Sequence, residues 1–98
     1  MPTRVVNMIH EIHDIYIGRP GRGHSGLFGN PFRVGRDGSR DEVVEKFRIY
    51  FYERIEKDPV FKAEVLKLKG KRLGCFCSPL RCHGDIIVEY LERDEKAT

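Results

Sequence analysis

Between Gly18 and Gly38 the chain packs seven of its ten glycines and two prolines into 21 residues with no apolar periodicity, and that gap dictates how everything else must be arranged. Structureless stretches beyond ~12–15 residues are uncommon in compact domains and are either functional or disordered. Leu27, Phe28 and Phe32 lie inside this one and supply apolar anchors, so residues 18–38 read as an ordered binding loop. The 98 residues are expected to form one domain, 1–98, because independent cores take ~50–200 residues.

On the amino-terminal side of the gap, Arg4 to Ile9 and Asp14 to Ile17 read as strands, the second stopped by Gly18 and Pro20. The link His10-Glu11-Ile12-His13 is too short for a crossover helix, which makes the two strands antiparallel neighbours by expectation. Beyond the gap, Ser39-Arg40-Asp41-Glu42 has the form of a capping box. The helix it opens runs to about Glu56 with Val43, Val44, Phe47, Tyr50, Phe51 and Ile55 on one face. Asp58-Pro59 starts a second helix, with Phe61, Val65 and Leu68 as its stripe and Gly70 at its C′ position. Arg72 to Cys77 is a third strand, Ser78 to Cys82 a turn, and a last helix begins near His83 or Gly84, leaving Asp94 to Thr98 as a frayed tail.

The expected fold is therefore α/β, with α+β as the alternative: a three-stranded sheet and three helices in the order ββ-loop-ααβα. Sites in such sheets lie beyond the carboxyl ends of strands. The Gly/Arg loop follows strand two and the Cys/His turn follows strand three, so the two meet only if those strands end on the same side.

Net charge is +3 and the pI about 8.9, which points to an anionic partner. Dedicated nucleic-acid modules usually exceed pI 9 and gather their charge on one face. The loop holds Arg19, Arg22, Arg33 and Arg36 and no lysine, which favours planar, bidentate recognition of phosphate or carboxylate. No apolar run approaches the ~20 residues of a membrane span, and the first residues lack the apolar core of a secretion signal. A cytoplasmic protein is expected. Three cysteines do not pair evenly. The absence of Gln, two Asn and 34% charged residues give a thermophile-like composition, and intracellular disulfides occur in such organisms.

The turn into the last helix carries the densest chemistry. Unpaired N–H groups at a helix start welcome an anion, Gly84 allows close approach, and His83 can bind phosphate or move a proton. Asp85 is read either as a plain helix-start charge or as a group that holds a hydroxyl or orients His83. Arg19, Arg22 and His24, spaced by glycines, form a workable oxyanion cradle. Asn30 before Pro31 shapes a turn or meets a ligand, and Asn7 at a strand end can reach a ligand or a loop.

The cysteines have several readings. Cys75, Cys77, Cys82 and His83 make a Cys3His zinc count, but the spacing departs from the usual C-x2-C. Cys75 and Arg81 have the Cys-x5-Arg spacing of a phosphatase loop, without its internal glycine. Buried, unreactive cysteines, a single reactive thiol and a Cys77–Cys82 disulfide are the others.

Val5-Val6-Asn7, Tyr16-Ile17-Gly18-Arg19-Pro20, Gly29-Asn30-Pro31-Phe32 and Leu73-Gly74-Cys75-x-Cys77-x-Pro79-x-x-Cys82-His83-Gly84-Asp85 resemble the signature blocks of a small domain family of unknown function in phages and bacteria. Many relatives have Trp where this chain has Phe28 and Phe76. The resemblance brings no activity. It implies that Asn7, Arg19, Asn30, Cys75, Cys77, Cys82, His83 and Asp85 form the site.

The functional expectation is a nucleotide or phosphorylated sugar bound at the sheet end, with glycosyl or phosphoribosyl transfer or hydrolysis as the reaction class. His83 and Asp85 would be the catalytic residues, and Asn7, Arg19, Arg22, His24, Asn30 and Gly84 the binding ones. A zinc-stabilised nucleic-acid module without catalysis is the alternative. A homodimer covering the long loop is compatible with either.

Overall fold

The computed structural model describes residues 2–21, 23, 25–78 and 80–97, with side chains described as far as Arg93. Its elements run β1 (Arg4–Asn7), β2 (Ile15–Tyr16), α1 (Arg40–Lys57), α2 (Pro59–Leu66), β3 (Arg72–Cys75) and α3 (His83–Ala97). The α/β class, the three-stranded sheet and the three helices are as expected.

The strand arrangement is not. The order is β1-β3-β2, with both outer strands parallel to β3, so β1 and β2 are neither neighbours nor antiparallel. A helical crossover takes a dozen or more residues, but these strands are too short to need one. Asn7 is level with Cys75 and Ile15 with Leu73. Residues 8–14 therefore travel back about 6.6 Å along the strands and about 9.6 Å across two strand spacings, which seven extended residues manage easily. They cross the face of β3 at Gly74, where a Cβ would lie 2.7 to 2.9 Å from three His13 atoms. A glycine on the central strand is what lets the link pass.

Residues level with one another in a parallel sheet point the same way. Val5, Leu73 and Ile15 share the face that joins the helices in one core with Phe47, Phe51, Phe61, Val65, Ile86, Ile87 and Leu91. Gly84 is buried where α3 meets this face, and the space its Cβ would fill is taken by Ile17 Cδ1 and Val5 Cγ2 at 2.7 and 2.8 Å. It is a packing glycine.

The helix starts follow the sequence closely. Glu42 N–H donates to Ser39 Oγ at 3.2 Å and Ser39 N–H to Glu42 Oε1 at 2.9 Å, closing the capping box. Asp58 caps α2 through the Phe61 amide at 3.0 Å. The ends differ more. α2 stops at Leu66, and a tighter turn, with Leu68 N–H donating to the Val65 carbonyl at 2.9 Å, carries the chain to Gly70 at φ +79°. β3 ends at Cys75, two residues early, and α3 continues through the stretch expected to fray, as far as Ala97.

The Gly18–Gly38 loop is pinned where its aromatic residues suggested. Leu27 and Phe28 pack on the core, Phe28 lies 6.3 Å from Phe61 and Phe32 stands edge-on to Tyr50 at 6.5 Å. No helix among the described residues is long and apolar enough to cross a membrane.

Candidate functional site

Because β2 and β3 are parallel, the loop after one and the turn after the other leave the sheet on the same side. A cleft of about 340 Å³ opens there, lined among others by Arg19, Asn30, Arg40, Cys75, Arg81 and His83. Arg19 and His83, distant in sequence, share this one cavity. Tyr16, Phe32, Val34, Val43 and Val44 add apolar wall. Among the described residues three arginines line the cleft and no carboxylate does.

The arginines are held differently. Arg40, the first residue of α1, donates to the Arg81 carbonyl at 3.3 Å. Arg81 is committed to Asp41 at 3.1 Å and to Glu45, so the Cys75-x5-Arg81 spacing does not leave a free guanidinium. Arg19 is exposed and has no carboxylate partner among the described residues. Arg36 is spent inside the loop, on Asp37 and the Pro31 carbonyl. Arg22 and His24 lie outside the described residues.

His83 is 9% exposed, and its Nε2 donates to the Ile17 carbonyl at 2.7 Å. Phe47 stands edge-on to the ring at 5.1 Å. Burial pushes the imidazole below its ordinary value. The Ile17 carbonyl and the Asp85 charge oppose that push, and Arg19 adds to it. His83 is thus a neutral imidazole at the back of the cleft.

Asn30 lines the cleft and is engaged within the protein: its Nδ2 donates to the Val43 carbonyl at 3.2 Å and its Oδ1 accepts from the Phe32 amide at 2.9 Å. It shapes the turn and ties the loop to α1. Asn7 is not in the lining. Its Nδ2 donates to the Ser78 carbonyl at 2.9 Å and its Oδ1 accepts from the Ile9 amide at 3.0 Å, so it braces the cysteine turn. Asp85 is exposed and outside the lining too, and its Oδ2 accepts from the Cys82 amide at 3.1 Å, the return half of a capping box. Gly84 faces the sheet. The structure therefore brings together Arg19, Asn30, His83 and the three cysteines, and places Asn7, Gly84 and Asp85 around them as supports.

Cys75 and Cys82 are buried and Cys77 half-buried, all three as free thiols. The contact is between Cys75 and Cys82, whose sulfurs lie 3.6 Å apart, and not between Cys77 and Cys82. Among the described residues no group of three or more His, Cys, Asp or Glu is arranged to hold a metal ion. Cys77 falls past the end of β3, off the strand that would have aligned it with Cys75.

Arg40 was missed as a cleft residue. The available signal was its place at the first turn of the helix that ends the glycine-rich loop, since whatever closes that loop returns to the same end of the sheet.

Fold and cleft together define a small parallel α/β domain whose arginine-lined cavity sits at the carboxyl end of its sheet. The chain belongs to the family described as a domain of unknown function, DUF4326, which it matches over residues 4–93. It is 41% identical over 91 residues to the uncharacterised 12.4 kDa protein of the nrdA-td intergenic region of Enterobacteria phage T4, a match spanning 92% of this chain and 78% of that one. An unknown-function family with a phage member agrees with the resemblance drawn from the motif blocks. No solved structure matches the chain.

Proposed function

We propose that the protein binds a nucleotide or phosphorylated sugar in this cleft. Arg19 and Arg40 take the phosphate, and Tyr16, Phe32 and Val34 face the base or sugar. The observation behind this reading is the lining itself: guanidinium groups and an imidazole, with no carboxylate among the described residues, at the ends of two parallel strands. That is where α/β sheets hold small molecules, and the volume of about 340 Å³ falls at the lower end of the ~300–1,000 Å³ of typical ligand pockets. With Asp85 spent on the helix start, His83 is the residue left to move a proton. Glycosyl or phosphoribosyl transfer or hydrolysis is the class of reaction in which such a cleft would use it, since the ligand's charge needs binding and its leaving group a proton.

Thermal unfolding in the presence of nucleotides and sugar phosphates, on wild type and Arg19→Ala, tests the reading. A ligand at ~100 times its Kd adds about 2.7 kcal/mol of stability. Wild type should show that stabilisation and Arg19→Ala should lose most of it. Equal stabilisation of both proteins, or none across the panel, would overturn the assignment.

A further inference from the structure

We propose that Cys75 is a nucleophilic thiol on the wall of the cleft, activated by Cys82 and selective for small electrophiles that carry a negative charge. The inference uses the cationic lining invoked above but not the identity of the ligand.

Cys75 ends the central strand, and the chain turns back immediately after it. Cys82, at the start of α3, lies with its sulfur 3.6 Å from the Cys75 sulfur. Its S–H donated to Cys75 draws the Cys75 thiol below its ordinary value; burial opposes this, and the backbone amides of Ser78 and Cys77 assist. The same contact and burial push the Cys82 thiol up. The donors are preorganised. Asn7 holds the turn through the Ser78 carbonyl, Leu80 N–H closes on the Cys77 carbonyl at 2.7 Å, and Asp85 fixes the Cys82 amide. Hydrogen bonds aimed at a sulfur favour its anionic form, and the thiolate is the nucleophile. Arg19 and Arg40 line the same cavity and attract an electrophile bearing a carboxylate or phosphate.

Iodoacetate is the probe and iodoacetamide its neutral control. The Cys75 proton passes to buffer, the sulfur attacks the methylene carbon, an S–C bond forms, and the C–I bond breaks with iodide leaving on the bonding pair. Native protein is alkylated and the sites are assigned by peptide mass mapping. Cys75 should be labelled ahead of the more exposed Cys77, and faster by iodoacetate than by iodoacetamide. Cys82→Ala should slow Cys75 by about 10- to 100-fold, the range for losing a hydrogen bond to a charged group. Cys82→Ser retains a donor and should slow it less. Arg19→Ala should narrow the ratio of the iodoacetate rate to the iodoacetamide rate, and an unchanged ratio would overturn the charge selectivity.

Labelling of Cys77 first, or of Cys75 only in denaturant, overturns the proposal on wild type alone, before any variant is made. The labelling needs no bound nucleotide. A reactive Cys75 in a protein that no nucleotide stabilises would refute only the ligand assignment, and an inert Cys75 in a stabilised protein only this one.

Discussion

The Nε2 proton of His83 is given to the Ile17 carbonyl at 2.7 Å, joining the first turn of α3 to the residue that follows β2. The neutral ring completes this bond, and burial disfavours its charged form. In the unfolded chain the imidazole titrates near its ordinary value of about 6.5. Between that value and the lower folded one, the unfolded state holds the proton and the folded state does not, so stability rises with pH across the window. Urea midpoints should therefore fall as pH drops below about 6.5, and His83→Gln should flatten that part of the profile. Parallel profiles for the two proteins would contradict this.

Asn7 joins β1 to the cysteine turn by hydrogen bonds in both directions. Asn7→Ala removes the bonds to the part-buried Ser78 carbonyl and the exposed Ile9 amide, and about 0.5–1.5 kcal/mol of stability should be lost. Chemical denaturation gives the value, and hydrogen exchange should speed up first at residues 76–78.

Gly74→Ala would drive a methyl group to within 2.7 Å of the His13 ring. Overpacking of this kind costs about 1–3 kcal/mol. His13→Ala removes the ring but keeps a Cβ 2.9 Å away, so the double variant should recover part of the loss. A double-mutant cycle showing simple additivity would mean that the link does not cross the sheet at Gly74.

Asp85→Ala should lose the bond from the Cys82 amide, destabilising by about 0.5–1.5 kcal/mol, with Asp85→Asn milder because an acceptor oxygen remains.

What could be read along the chain is what short-range bonds decide. The capping box spans three residues, as does the Asp58 cap. The helix face from Val43 to Ile55 repeats within a few turns. Such features stand in the sequence because both partners do, close together. The anchors of the glycine-rich loop were legible for a related reason: apolar rings in a polar stretch have to be buried somewhere.

The direction and order of the strands were not legible, because a seven-residue link suits an antiparallel turn or a short crossover and only the sheet chooses between them. Gly74 selected the crossover, by leaving room on a strand 61 residues beyond His13. The same packing chose Cys82 as the partner of Cys75, since β3 ended before Cys77 could share its face, and it brought Arg40 to the cleft beside Arg19. The amino-acid order by itself determined which segments become helix, strand and loop, through neighbours bonding to neighbours. Which of those segments meet, and so which side chains share the cavity, was decided by steric fit between residues far apart in the chain, a quantity that exists only once the chain is folded.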